Sequence, residues 1–232
     1  AAPTFFVGNE DYLNVRFQGK IIVTTTYDDD WIGMVFGYKN PGAVNAYPYD
    51  VNMVALSWKQ KTQVDNGKTW KEGFSLFEVN STVNSLEEVT DQFRIESGST
   101  VLDTHYGTGL GWADNTEYNI TIDYTGSNIK IYVDGNLIFN VDGCFQPGKF
   151  GFYNDSQQAV TYSDFAYQYI GNIDILDDTL CLGEQLEAGV FGGSSSCNTA
   201  NYYPVGTQFD WDLKDGTLSN GNNVSYTYSI TG

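Results

Sequence analysis

Residues 28–63 read DDDWIGMVFGYKNPGAVNAYPYDVNMVALSWKQKTQ. Three successive carboxylates, Asp28, Asp29 and Asp30, precede a strand-like run from Trp31 to Tyr38. A loop rich in Pro, Gly and Asn follows over residues 40–50, and a second strand-like run covers Val51 to Trp58. Both runs carry β-branched and aromatic residues, and turn formers separate them, so the stretch predicts a hairpin with a broad loop. A loop at a sheet edge would expose the acidic triplet just before the first strand.

Working outward, the chain keeps a β character. KIIVTTTY (residues 20–27) precedes the triplet, and Asn66-Gly67 marks a turn beyond it. Tyr118–Tyr124 and Ile129–Val133 alternate in polarity, and Asp134-Gly135 then turns the chain into Leu137–Val141, giving an antiparallel meander. Lys149–Tyr153 and Val160–Tyr169 supply two further strands. Ser85-Leu86-Glu87-Glu88 predicts one short helix, with Ser85 as N-cap and Glu88 completing a capping box. The glycine-rich segment His105–Trp112 lacks the lysine ending and following helix of a phosphate loop.

The composition agrees. The 232 residues are 41% hydrophobic and 16% aromatic, with 17 Tyr and 14 Phe, a bias toward strands. The formal net charge is −18, from 11 Lys and Arg against 29 Asp and Glu. That balance excludes nucleic acid, whose binding depends on neutralising phosphates, and disfavours anionic lipid. No apolar run is long enough to span a bilayer, so no membrane insertion is expected.

The residues of the hairpin carry a resemblance. Asp28-Asp29-Asp30, then Gly33, Val35, Phe36, Gly37 and Tyr38, then Val54, Leu56, Trp58, Lys59, Gln60 and Gln63 look like the C-terminal, lectin-like domain of the thrombospondins. Gly148–Asp155 and Val160–Tyr167 are similar to that domain's closing strands, and the meander resembles those of concanavalin-like sandwiches. The resemblance implies an all-β, concanavalin-like jelly roll over residues 1–171. After it, Phe209, Trp211, Asp212, Asp215, Gly216, Tyr226, Thr227, Tyr228 and Gly232 resemble a PKD-type immunoglobulin-like module. That module is expected over residues 172–232, incomplete at its C-terminal end, with Trp211 in its core. The pairing of modules resembles bacterial surface proteins of the Bacteroidetes type.

Cysteine usage points to an oxidising compartment. Cys181 and Cys197 lie in the same C-terminal segment, and closing that loop would be worth about 3 kcal/mol, so a Cys181–Cys197 disulfide is expected, with Cys144 left over and buried.

The triplet is the candidate metal site. Calcium takes six to eight oxygens at about 2.3–2.6 Å, and three adjacent carboxylates repel one another unless a cation intervenes. The jelly-roll resemblance implies Asp50, Asn154 and Asp155 as completing ligands; the alternative is a solvated acidic turn. For catalysis, no strand carries the E-x-D-x-x-E spacing of sandwich glycoside hydrolases, and His105 has no identifiable nucleophile partner, so no catalytic residue is assigned. Two binding readings remain. One is an extracellular, calcium-binding lectin-like domain whose aromatics, Trp31, Tyr47, Tyr49, Trp70 and Trp112, meet sugar rings. For Trp70 and Trp112 a core position competes with that role. The other is a protein-binding or spacer module of a larger secreted or cell-surface protein. An accessory module of a polysaccharide-active enzyme is a third, weaker reading.

Overall fold

A computed structural model describes residues 3–39, 47–65, 67–95 and 97–170. Beyond these it describes Cys197 and the backbone of five short C-terminal strands. The strands run in chain order as β1 (Pro3–Tyr12), β2 (Val15–Val23), β3 (Trp31–Lys39), β4 (Tyr49–Lys59), β5 (Gln63–Asp65), β6 (Lys68–Trp70) and β7 (Gly73–Val83). Helix α1 (Leu86–Phe93) is followed by β8 (Ser99–Tyr106), β9 (Glu117–Tyr124), β10 (Asn128–Val133), β11 (Asn136–Asp142), β12 (Gly148–Asp155) and β13 (Val160–Tyr169).

Two antiparallel sheets face each other. One has the order β1-β12-β3-β4-β7-β8, the other β11-β10-β9-β2-β13. The expected hairpin is their organising pair: Trp31 lies opposite Lys59 and Phe36 opposite Val54, and β12 flanks β3 on its other side. Alternation divides the side chains of β3 and β4. Ile32, Met34, Phe36, Val54, Leu56 and Trp58 point into the core between the sheets. Trp31, Val35, Met53 and Ala55 point to the outer face of the six-stranded sheet, where they form a second apolar cluster with Val89 and Phe93 of α1. A strand buried on both faces needs apolar residues at consecutive positions, which explains the unbroken run WIGMVFGY. Gly33 is required within it, because a Cβ there would lie 1.9 Å from the Leu56 carbonyl oxygen and 2.6 Å from the Tyr153 ring.

Helix α1 starts as expected, with the Glu88 N–H donating to Ser85 Oγ at 3.2 Å. The Glu88 carboxylate caps one residue further out than a capping box would, accepting from the Asn84 N–H at 2.8 Å.

In the C-terminal segment, β14 (Asn172–Ile175), β15 (Gln185–Phe191) and β18 (Asn223–Thr227) form one antiparallel sheet. β16 (Asp210–Asp212) and β17 (Leu218–Asn220) form a pair. The side chain of Trp211 lies outside the described residues. The expected disulfide is corrected here: Cys197 bonds to Cys144, across 53 residues of chain. Cys144 follows β11 and is held where Cys197 can reach it, whereas Cys181 lies outside the described residues. Among the described residues no helix is long and apolar enough to cross a membrane.

Candidate functional site

The residues of the W-K-Q-x-x-Q motif converge on the acidic triplet. Trp58 Nε1 donates to the Leu110 carbonyl at 2.8 Å, which fixes the loop after β8. From that loop, Trp112 Nε1 donates to the Asp30 carbonyl at 3.3 Å. Gln60 Nε2 donates to Asp114 Oδ1 at 2.8 Å, and Gln63 Nε2 donates to Asp29 Oδ1 at 2.7 Å. From the β12–β13 loop, Gln157 Oε1 accepts the Asp30 N–H at 2.9 Å. One end of the six-stranded sheet is therefore a tied set of loops centred on residues 28–31.

Two protein cations lie within this set. Lys59 is buried, its side chain only 1% exposed, and its Nζ lies 3.7 Å from both Asp29 Oδ1 and Asp30 Oδ1. It donates to the Asp29 carbonyl at 3.0 Å and sits 4.1 Å from the centroid of the Trp31 ring. Burial pulls the Lys59 pKa down, while the Asp29 and Asp30 charges oppose that shift. Arg94, the residue that ends α1, donates from Nε to Asp155 Oδ2 at 3.0 Å. Its guanidinium lies over the rings of Trp31 and Trp70, at 5.1 and 5.6 Å. Asp155 is fully buried; burial raises its pKa against the pull of Arg94. Its Oδ1 has no hydrogen-bond donor among the described residues.

This geometry bears on each expected ligand of calcium. Asp28, Asp29, Asp30 and Asp155 lie at one corner of the sheet. Asp29 and Asp30 are compensated by Lys59, and Asp155 by Arg94. Asp28 has no lysine or arginine partner among the described residues; burial, then the Asp30 charge, pushes its pKa up. Asn154 Nδ2 donates to the Gln157 carbonyl at 2.6 Å, closing the β12–β13 loop. Asp50 accepts from Thr82 Oγ1 at 2.6 Å. It lies at the opposite end of β4, nine residues from Lys59 and so about 30 Å away along an extended strand. Asp50 is thereby removed from the ligand set by the register of the hairpin. Among the described residues no group of three or more His, Cys, Asp or Glu could hold a metal ion. The residues present do not fit a calcium cage, because the ammonium of Lys59 stands at the carboxylates such a cage would use.

The aromatic expectations are corrected in part. Trp112 is 2% exposed and belongs to the inter-sheet core, and Trp31 is 7% exposed and lies beneath Lys59 and Arg94. Trp112 presents no face to a ligand, while Trp31 lines the hollows beside Trp70 with Lys59 and Arg94 against its ring. Tyr47 is half-buried against the outer cluster, and the Tyr49 side chain lies outside the described residues. Trp70 is half-buried, edge-on to Trp31 at 5.7 Å. Among the described residues the exposed aromatics are ones the sequence reading did not select: Tyr27, 78% exposed beside the triplet, Phe6, 76% exposed on β1, and Tyr167, 46% exposed on β13.

Three kinds of surface hollow result. A polar one of about 300 Å³ lies between Tyr27, Asp28 and Asp29 on one side and Gln60, Lys61 and Gln63 on the other. Trp70 walls a second pair, with Arg94 at both. An apolar hollow of about 310 Å³ lies elsewhere, lined by Phe6, Tyr12, Phe150, Phe152, Phe165 and Tyr167 among others.

Two facing antiparallel sheets in this strand order make a concanavalin-like jelly-roll sandwich. Residues 1–171 match the model of the thrombospondin C-terminal region, and the chain belongs to that family. It is similar to thrombospondin-2 of Gallus gallus, 28% identical over 191 residues that cover 72% of this chain and 15% of that protein. It is likewise similar to thrombospondin-2 of Homo sapiens, 27% identical over 189 residues with the same coverage. The chain thus spans about 15% of the length of these relatives. Among solved structures it is similar to the carbohydrate binding module CBM66 from Bacillus subtilis, with 12% identity and a TM-score of 0.46 over 72% of this chain and 82% of that one.

Proposed function

We propose that this chain is a recognition module of a larger extracellular protein, and that it binds a neutral glycan in the polar hollow beside the acidic triplet. The observation that carries this reading is the hollow itself. Carboxylates and side-chain amides converge there on a space of about 300 Å³, and the exposed Tyr27 ring stands at its rim. Carboxylate and amide oxygens accept from sugar hydroxyls, amide nitrogens donate to them, and an aromatic ring covers the apolar face of a pyranose. The cysteine pairing supports an oxidising, extracellular setting. The PKD-type reading of residues 172–232 and the bacterial-surface context belong to this proposal. Binding rather than catalysis is proposed, because groups that pair with hydroxyls and an exposed ring are what the hollow offers.

The test is a glycan array on the whole chain, followed by calorimetric titration of the bound sugars against Tyr27→Ala and Asp28→Asn. Each variant is expected to weaken binding about tenfold, the size of one lost hydrogen bond or ring contact. Unchanged affinity in both would remove the hollow from consideration. Calcium is tested alongside. Because Lys59 holds the carboxylates, melting curves in calcium and in chelator are expected to coincide. A calcium-dependent rise that Asp28→Ala/Asp30→Ala abolishes would restore the triplet as a metal site.

A second reading rests on the apolar hollow. Its phenylalanines and tyrosines, with Phe6 exposed, suit a protein partner better than a sugar. An array without any bound glycan would favour it.

A further inference from the structure

The apolar hollow of about 310 Å³ opens between β1 and β13, the edge strands at one side of the two sheets. Among the described residues, every side chain that lines it and is larger than alanine is a phenylalanine or a tyrosine. Gly8, Gly151 and Ala166 leave the space that these rings surround. An ordinary apolar surface mixes in leucine, isoleucine and valine; this one is aromatic throughout.

The pairing of β1 with β12 sets the arrangement. Phe6 lies opposite Phe152 and Tyr12 opposite Gly148, so both rings stand on the face of the sheet that carries Phe150 and Phe152. Neighbouring rings are turned steeply to one another. Tyr12 meets Tyr167 of β13 at 66° and 4.8 Å, Phe152 meets Phe165 at 67° and 4.7 Å, and Phe150 meets Phe152 at 85° and 5.5 Å. Rings set at such angles wall a box rather than pave a platform. Phe6 and Tyr167 keep the most free surface, at 76% and 46% exposure.

The charges nearby favour a cation. No lysine or arginine lines the hollow among the described residues. The lysines of the flanking strands are engaged elsewhere: Lys149 pairs with Asp11 at 3.1 Å, and Lys20 with Glu117 and Asp164 at 3.2 and 3.3 Å. Lys149 also alternates to the other face of the sheet from Phe150. Burial, then the Tyr167 hydroxyl and the Glu10 carboxylate, pushes the Tyr12 pKa up. The chain as a whole carries a net charge of −18.

These surroundings select a ligand chemistry. No amide or carboxylate lines the hollow among the described residues, so sugar hydroxyls buried there would lose their water without replacement. A primary ammonium would lose its hydration in the same way. A quaternary ammonium has no N–H to satisfy, presents methyl groups to the rings, and is attracted to their faces by the ring quadrupole. From this arrangement we propose that the apolar hollow binds a small monocation carrying a trimethylammonium group, of the choline type. Phe6 and Tyr167 close on the methyl groups, and the rings of the box hold the charge. Small-molecule sites begin at about 300 Å³, so the hollow has room for such a cation. A second, anionic group on the ligand would meet the acidic field of the chain. The inference goes beyond the glycan reading, which concerns the polar hollow, and it gives the apolar hollow a ligand class that a protein partner does not require.

The test is calorimetric titration of the whole chain with choline and with its carbon isostere, in which a tert-butyl group replaces trimethylammonium and only the charge is lost. Choline is expected to bind about tenfold more tightly than the isostere. Phe6→Leu/Tyr167→Leu keeps two apolar side chains at exposed positions and removes their ring faces. Its melting curve should match that of the unaltered chain, its affinity for choline should fall about tenfold, and its affinity for the isostere should stay the same. Phosphocholine is expected to bind more weakly than choline. Equal affinity for choline and its isostere overturns the proposal and returns the hollow to a protein partner. Choline affinity unchanged in the double variant, phosphocholine bound more tightly than choline, or no choline bound at millimolar concentration overturns it as well. Tyr27→Ala should leave choline binding intact, so failure of the polar hollow and failure of this inference are read separately.

Discussion

Replacing Lys59 by Met is expected to lower the stability of the jelly roll by about 3–5 kcal/mol, the cost of breaking a buried ion pair by removing one partner. The side chain is 1% exposed and serves two carboxylates at once, Asp29 and Asp30, at 3.7 Å each. Methionine fills most of the stem's volume, so the loss would come from charge and from the bond to the Asp29 carbonyl rather than from a cavity. For a domain of this size that corresponds to a fall in Tm of about 10 °C. A cycle separates the causes. In Asp29→Asn/Asp30→Asn/Lys59→Met, no charge is left without its partner, and most of the loss should be recovered. If the triple variant melts as low as the single one, packing and not electrostatics is what Lys59 supplies. The pH dependence gives a further check. Burial lowers the Lys59 pKa in the folded chain below its ordinary 10.5. Between those two values the unfolded chain holds more protons, so stability rises with pH across that window. The unaltered chain should show this alkaline rise and Lys59→Met should lack it.

The same lysine shows how much was legible in the sequence. The hairpin of residues 28–63 was readable because its strands carry β-branched and aromatic residues and its loop carries turn formers. The meander from Tyr118 to Val141 was readable because one of its faces is solvated and its polarity alternates. The triplet was recognised as a cluster of carboxylates, but its counter-charge was not. The information was present: a hairpin that pairs residue 31 with residue 59 places Lys59 beside the triplet. What composition could not convey is that the lysine turns inward. Arg94 was out of reach in another way, since only the packing of α1 on the outer face of the sheet brings its last turn over Trp31. The tryptophans were open between core and surface for a related reason. An aromatic residue near a loop reads the same whether it faces solvent or plugs the sandwich, and the bonds of Trp58 and Trp112 to the Leu110 and Asp30 carbonyls depend on loops meeting in space. Asp50 was displaced by strand length alone.

The cysteines present the same problem in covalent form, and their removal is the second large effect expected. Three cysteines allow three pairings, and proximity in sequence does not decide among them. The observed bond joins Cys144, just beyond β11, to Cys197, closing 53 residues of chain. By the chain-entropy argument a loop of that length contributes about 4 kcal/mol, against about 3 kcal/mol for the shorter Cys181–Cys197 loop. Cys144→Ser is therefore expected to lower stability by about 4 kcal/mol, and Cys197→Ser by the same amount, since either breaks the same bond. Cys181→Ser is expected to leave the melting curve in place. Mass spectrometry of a non-reduced digest should recover the peptide of Cys144 joined to that of Cys197. The two observations are independent, because residual structure in the denatured chain reduces the energetic effect without altering which peptides are linked. Recovery of a Cys181–Cys197 peptide, with Cys181→Ser destabilising and Cys144→Ser silent, would return the pairing to the one that spacing favours. It would also detach the C-terminal segment from the jelly roll at this point. With the Cys144–Cys197 pairing, reduction should leave the core of β1–β13 folded, because that core is closed by two sheets whose strands all lie before Cys197.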